Sequence, residues 1–150
     1  MTVQRFVLAD LPATPWKNGG GLTREIVARP PANGTAPFDW RVSVAEIAGD
    51  GDFSIFAGVD RVIALLSGDG VQLRSADGRV NHCLDTPLAP FAFSGDTALT
   101  ATVLGGASSD FNIMTRRAAM RAEVRIVRSH DSLFEAVGGM VLAVLGTWTA

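Results

Sequence analysis

Two arginines lie inside runs whose alternation is typical of β-strands, and both could bind an anion. In residues 39–45, DWRVSVA, alternation places the large apolar side chains on one face and Arg41 and Ser43 on the other. In residues 59–63, VDRVI, Arg61 shares its face with apolar neighbours. Desolvating a guanidinium is costly unless a carboxylate pairs with it, so each arginine should meet a carboxylate of the chain or of a ligand. The candidates within the chain are Asp60, Glu46, Glu25 and Asp110.

A polar row in residues 110–114, DFNIM, is the second feature that could bind a ligand. Alternation puts Asp110, Asn112 and Met114 on one side, where the carboxylate and the amide could orient a small molecule. A hydrogen-bonded row on an edge strand is an equally good interpretation. Other arginines within or beside apolar runs are Arg24, Arg116 and Arg117.

Metal, nucleophile and nucleotide sites are not indicated by the remaining candidates. The two histidines, His82 and His130, are far apart, whereas a transition-metal site needs several ligands that converge on one ion. Cys83 follows His82, but neighbours on a strand point to opposite faces, so Cys83 is interpreted as a core residue. The glycines of residues 18–21, NGGG, precede a β-type run and lack the Gly-Lys-Ser/Thr ending of a phosphate loop. We therefore expect no catalytic residue, metal or cofactor.

Short strands separated by tight turns must position these residues. Gly68-Asp69-Gly70 and Asp77-Gly78 are typical hairpin turns, and the best helical candidate is the short segment Asp131–Val137. Many short strands with regular turns predict a sandwich or a closed barrel. The predicted strands are Thr23–Ala28, Asp39–Ile47, Asp60–Leu66, Val71–Arg74, Val80–Leu84, Ala98–Leu104, Asp110–Thr115, Ala122–Val127 and Met140–Leu145.

Composition indicates one soluble, cytoplasmic domain. The 150 residues can bury a sufficient core without a disulfide, and the single cysteine excludes an internal one. The N-terminus has no long apolar stretch, which argues against a signal peptide, and the longest apolar run, Gly138–Trp148, is too short to span a membrane. A net charge of −2 argues against nucleic acid as a partner. Because residues 140–145 are apolar on both faces, we expect them to be buried, either inside the fold or in a homodimer.

A short internal sequence similarity, which we call the five-residue repeat, suggests two related halves. Val62–Leu66, VIALL, resembles Val141–Leu145, VLAVL, although coincidence of strand composition explains the match about as well. The corresponding units would be residues 15–107, as a first barrel, and residues 108–150, as a second and incomplete one.

Several motifs occur in order along the chain: Trp16-Lys17-Asn18-Gly19-Gly20-Gly21, Thr23-Arg24-Glu25, Trp40-Arg41-Val42-Ser43, Phe53-Ser54-Ile55-Phe56 with Gly58 and Arg61, and Asp110-Phe111-Asn112 with Met114, Arg116 and Arg117. From about Pro15 to Arg117, the chain therefore resembles the HutD/Ves family. The resemblance implies an all-β, cupin-like fold of the bicupin, RmlC-like jelly-roll type, an antiparallel barrel without the metal-binding histidines of cupins. The chain is expected to be shorter than its relatives, so the second half of the barrel is expected to be incomplete.

The resemblance further implies a non-enzymatic protein that governs histidine utilisation by binding an intermediate, with N-formylglutamate and urocanate as candidates. We therefore predict a small acidic metabolite as partner. The alternatives are a metal-free cupin enzyme, an isomerase or hydrolase that uses Glu25, Asp110 or Lys17 as acid or base, and a stress-linked protein of Ves type. A module that only pairs its last strand with another chain is a further alternative. The predicted ligand-binding residues are Lys17, Asn18, Arg24, Glu25, Arg41, Ser43, Arg61, Asp110, Asn112 and Arg116.

Overall fold

A computed structural model describes residues 4–129 and 139–145, and this part of the chain is almost entirely β-structure. It contains one short 3₁₀ helix, Leu8–Asp10, and no α-helix. The ten strands are β1 (Ala13–Pro15), β2 (Gly21–Arg29), β3 (Trp40–Ile47), β4 (Gly51–Phe53), β5 (Val59–Ser67), β6 (Val71–Ser75), β7 (Asn81–Leu84), β8 (Phe91–Ser94), β9 (Leu99–Val103) and β10 (Ser108–Arg116).

The strands form two antiparallel sheets. The larger sheet has the order β1-β2-β3-β10-β5-β8, and the smaller has the order β4-β9-β6-β7. The main core lies between them, where Ile63 and Leu65 of the larger sheet meet Leu73 and Leu99 of the smaller one. Burying such side chains is the main stabilising contribution to a fold of this kind. We call the surface of the larger sheet that faces this core its inner face, and the opposite surface its outer face.

Strand β10 is central because it hydrogen-bonds to β3 on one side and to β5 on the other. Asn112 lies opposite Ser43 and Ile63, and Met114 lies opposite Arg41 and Arg61. The predicted alternation therefore places the polar residues of three strands on one inner face. The predicted half-repeats, residues 15–107 and 108–150, stay a prediction, although a division at residue 108 would separate β10 from both neighbours.

The outer face has an apolar centre of its own. Ile26, Val42 and Val44 pack there against Leu8 of the 3₁₀ helix and against Met140. This packing buries the apolar positions of β3 that face away from the main core.

The predicted hairpin turns are confirmed. Gly68 and Gly70, with φ of +93° and +92°, connect β5 to β6, and Gly78, with φ of +73°, connects β6 to β7. These left-handed conformations favour glycine because a Cβ atom would clash. At Gly70 the clash is with the backbone as well, since a Cβ atom would lie 2.1 Å from the Leu84 carbonyl oxygen.

Several predicted elements are wrong. Residues 122–127 and 140–145 form no strand, and Val141 and Leu145 are 64% and 80% exposed. The two segments of the five-residue repeat therefore differ in structure, since Val62–Leu66 lies in β5 and Val141–Leu145 forms no strand. Within the described residues the sheets do not close into a barrel, and β1, β4 and β8 were not predicted. The predicted helix at 131–137, like His130, lies outside the described residues.

Among the described residues, no helix is long and apolar enough to cross a membrane.

Candidate functional site

Four buried polar residues converge on the inner face of the larger sheet. Ser43 lies on β3, Arg61 on β5, and Asp110 and Asn112 on β10, and each is at most 5% exposed. Their strands are neighbours, so the side chains project into the same layer. We call Ser43, Arg61, Asp110 and Asn112 the inner-face polar cluster.

The Arg61 guanidinium is held by aromatic rings instead of a carboxylate. Its Cζ atom lies 4.9 Å from the ring centroid of Phe93, 5.4 Å from that of Phe53 and 5.5 Å from that of Phe56. Nη1 donates a long hydrogen bond of 3.4 Å to the Ser54 carbonyl oxygen, and the buried Nε has no partner. Burial lowers the pKa of Arg61 from 12.5 to about 10, while the charge of Asp110 acts in the opposite direction.

Asp110 and Asn112 add unpartnered acceptors to the same layer. The Oδ1 atom of each is buried and lacks a hydrogen-bond partner. Burial raises the pKa of the Asp110 carboxyl from 3.8 to about 7, although the positive charge of Arg61 and a hydrogen bond with the backbone of Ala45 both lower it. A buried polar atom without a partner costs about 1–3 kcal/mol, so Arg61, Asp110 and Asn112 make this layer the candidate site.

Arg41 and Glu25 stand where this layer opens to solvent. Arg41 Nε donates a 2.7 Å hydrogen bond to Glu25 Oε2, and the two side chains are 21% and 50% exposed. The carboxylate expected for Arg41 is therefore supplied by the chain itself. Arg41 also reaches the cluster electrostatically, since its charge contributes to the lowered pKa of Arg61.

The remaining predicted residues lie elsewhere. Arg24 is on the outer face, Arg116 pairs with Asp39 at the end of β10, and Lys17 is exposed in the turn before β2. Asn18 organises that turn, because its Oδ1 accepts the Gly20 N–H at 3.0 Å and its Nδ2 contacts the Asp52 carbonyl oxygen at 3.4 Å. The structure therefore joins Ser43, Arg61, Asp110 and Asn112, with Arg41 and Glu25 at the opening, and separates the other four.

The glycines of residues 18–21 allow a left-handed turn and a close backbone approach. Gly19 has φ of +75°, and a Cβ atom on Gly21 would lie 2.3 Å from the Glu46 carbonyl oxygen. That this turn binds no nucleotide stays a prediction.

The aromatic residues around Arg61 are functional candidates that the sequence reasoning missed. Phe53 and Phe56 belong to a family motif to which the sequence assigns no role, and Phe93 belongs to no motif. The stack continues outwards, since Phe91 lies 5.6 Å from Phe93 and His82 stacks on Phe91 at 3.8 Å between ring centroids. The signal that the sequence offers is the pair Phe53 and Phe56 shortly before Arg61, because aromatic rings bind a guanidinium.

A cavity of about 320 Å³ borders β5 and β8, and consecutive residues Asp60, Arg61 and Val62 line it, so strand backbone forms part of its wall. Asp60 itself pairs with Arg117 at 2.8 Å. No group of three or more His, Cys, Asp or Glu residues in residues 4–129 and 139–145 could hold a metal ion.

Comparison with known proteins gives matches over nearly the whole chain. The family model described as HutD matches residues 8–150. Protein Ves of Citrobacter koseri is 43% identical over 147 residues, which are 97% of this chain and 75% of that protein. The structure of HutD from Pseudomonas fluorescens SBW25 is 41% identical, with a TM-score of 0.65 over 71% of this chain. This chain spans 56% of that solved protein, or about half of its length.

A more distant match concerns the fold alone. The cupin domain of Schizosaccharomyces pombe Cnp3 has a TM-score of 0.55 at 9% identity and covers 75% of this chain. The all-β, cupin-like fold class is thereby confirmed.

Proposed function

The chain belongs to the HutD family, and from this membership we propose that it is a non-catalytic protein that binds a small carboxylate at the inner-face polar cluster. Arg61 is the main contact of the ligand carboxylate. By binding a pathway intermediate the protein regulates histidine utilisation, with N-formylglutamate and urocanate as the candidate ligands.

The observation that carries this proposal is the unpaired guanidinium of Arg61. Its Nε is buried without a partner, and no ion pair joins Arg61 to any described carboxylate. A planar guanidinium suits two parallel hydrogen bonds to a carboxylate, and each charge-assisted bond contributes about 1.5–3 kcal/mol. The aromatic rings keep the charge in place without using its N–H groups.

Asp110 and Asn112 narrow the chemistry of the ligand. Their buried Oδ1 atoms accept hydrogen bonds, so the ligand should carry a donor as well as a carboxylate. N-formylglutamate has an amide N–H and urocanate an imidazole N–H, and both therefore match this requirement.

Calorimetric titration with both compounds tests the proposal. We expect one site per chain in the wild type, and binding weakened at least tenfold in Arg61→Met, since a loss of 1.4 kcal/mol is tenfold in affinity. Arg79→Met is the matched control, because Arg79 is an exposed residue of the β6–β7 turn. Undiminished binding by Arg61→Met, or two sites per chain, would show that the anchor lies elsewhere.

A second candidate function is favoured by Asp110. A carboxyl group with a pKa of about 7 can both donate and accept a proton at neutral pH, as general acid–base catalysis requires. The alternative is thus a metal-free cupin enzyme, an isomerase or hydrolase, with Asp110 as acid or base. Lys17 and Glu25 are less suited to this role, because Lys17 lies in an exposed turn and Glu25 is bonded to Arg41.

Mass spectrometry of a bound candidate after prolonged incubation separates the two functions. Recovery of unchanged ligand supports binding alone. A product that forms with wild type and not with Asp110→Asn supports the enzyme.

A further inference from the structure

A second polar group lies on the outer face of the larger sheet, on the opposite side from the inner-face polar cluster. A cavity of about 290 Å³ opens there. Its polar lining includes Arg24, Glu46, Ser67 and Ser109, together with Ser108, and its apolar walls include Leu8 and Val44. We call it the outer-face cavity.

The register of four strands brings these polar side chains together. Ser109 of β10 lies opposite Glu46 of β3 and Ser67 of β5, and the two serine hydroxyls are 2.9 Å apart. Arg24 of β2 lies opposite Val44, two residues from Glu46, and is its diagonal neighbour. Because consecutive strand residues point to opposite faces, Arg24 is separated from Glu25 and from the inner-face polar cluster.

The charges in this cavity do not neutralise each other directly. Arg24 Nε is buried and has no hydrogen-bond partner, and in the described part of the chain no ion pair joins Arg24 to Glu46 or to another acid. A guanidinium N–H in this position requires an acceptor from outside the chain.

The mixed charge selects the class of ligand. Glu46 is exposed at the cavity and would repel a simple anion that approached Arg24. A molecule that carries an ammonium group beside its carboxylate would instead be attracted by both residues. The hydroxyls of Ser67 and Ser109 can each donate and accept, and they add neutral hydrogen bonds beside Glu46, on its side away from Arg24.

We propose that the outer-face cavity is a second ligand site that binds a small zwitterion with the chemistry of a free α-amino acid. Arg24 binds the carboxylate, Glu46 binds the ammonium group, and Ser67 and Ser109 bond to the polar remainder. The volume lies at the lower limit of ligand pockets, about 300 Å³, which fits one small molecule. This inference does not depend on the proposed inner-face site.

Titration calorimetry of the full chain with L-alanine and L-serine tests the proposal, with propionate and ethylamine as probes that lack one charge each. We expect saturable binding of the amino acids at one site per chain and weaker binding of both single-charge probes. Arg24→Met should weaken alanine binding about ten- to a hundredfold. Glu46→Gln should weaken alanine binding and leave propionate binding unchanged or stronger.

Two controls keep the result interpretable. Arg79→Met alters an exposed residue of the β6–β7 turn and should leave alanine binding unchanged. Ser109→Ala should weaken it several-fold, which provides a second reading if Arg24→Met does not fold. The proposal is overturned if wild type binds no amino acid at millimolar concentration, if propionate and alanine bind equally, or if Arg24→Met and Arg24→Lys bind alanine as wild type does. Equal destabilisation by Arg24→Met and Glu46→Gln without amino-acid binding would instead identify an ion pair between them, which also overturns it.

Discussion

Replacing Asp110 by asparagine should change how the stability of the protein depends on pH. The substitution keeps the size of the side chain and removes a charge that is buried beside Arg61. The pKa of this carboxyl rises from 3.8 in the unfolded chain to about 7 in the fold, mainly through burial. One pKa unit corresponds to 1.36 kcal/mol, so the ionised carboxylate destabilises the fold by up to about 4 kcal/mol.

The sign follows from proton binding. Between pH 4 and 7 the folded protein holds a proton on Asp110 that the unfolded chain has lost, so the stability contributed by this group is complete below about pH 4 and is lost as the pH rises through 7. Asp110→Asn removes this dependence. We therefore expect the free energy of unfolding of the variant, relative to wild type, to increase by up to about 4 kcal/mol between pH 4 and 8.

Urea unfolding followed by tryptophan fluorescence at several pH values measures this difference, with the change with pH as the readout. Asp96→Asn is a matched control of opposite sign, since hydrogen bonds from the Gly58 backbone, Ser94 and Arg117 lower the pKa of Asp96. Asp96 is ionised in both states above pH 5, so its variant should show a constant difference from there to pH 8. A constant difference for Asp110→Asn over the whole range would refute the reasoning, because Asp110 would then ionise normally in the fold.

Four further outcomes are expected. Arg61→Met should leave the unliganded protein folded, with a stability within about 2 kcal/mol of wild type in thermal unfolding. The reason is that the cost of burying the guanidinium offsets its attraction to three phenyl rings. A variant that cannot fold would contradict this. Gly70→Ala should lower the free energy of unfolding by more than about 2 kcal/mol, since the new Cβ atom meets the Leu84 carbonyl oxygen. Gly78→Ala has open space around its Cβ atom and should lower it by only about 1 kcal/mol. Equal losses of stability would show that φ alone matters. A chelator should leave the melting temperature unchanged, and a stoichiometric transition metal in elemental analysis would disprove metal independence. The exposed apolar side chains of residues 139–145 predict a homodimer, which a monodisperse monomer in sedimentation at high concentration would contradict.

The residues that share a face within one strand could be predicted, because alternation is a local property. Residues two apart project to the same side whatever their partners are, so the sequence grouped Ser43 with Arg41 and Asn112 with Asp110. That these groups and Arg61 meet on one face follows from the register of β3, β5 and β10. The same rule, applied to the sequence of β2, separates Arg24 from Glu25 and so divides the predicted ligand-binding residues between two faces.

The partners of the charges could not be predicted, because they depend on how strands align. Glu25 reaches Arg41 through the register of β2 and β3, which shifts at a bulge between Glu25 and Val27. Two candidate carboxylates for Arg61 are bonded elsewhere, with Asp60 paired to Arg117 and Glu25 to Arg41. Nothing in the local pattern distinguishes these outcomes.

The failed strand at residues 122–127 has a different cause. Its composition is that of a strand, but a strand also requires a neighbour to pair with, and residues 122–127 belong to neither described sheet.

The central place of β10 has a consequence for how the chain folds during synthesis. The strands on either side of it, β3 and β5, are made much earlier, and each keeps an unpaired edge until residues 108–116 have left the ribosome. Pairing over such long separations is slow, and open edges invite association with other chains. A nascent chain stalled before residue 108 would therefore expose the unpaired backbone N–H and C=O groups of β3 and of β5 at the same time. Rapid translation through β10, or a chaperone that shields β3 and β5, would be required to keep the growing chain from aggregating.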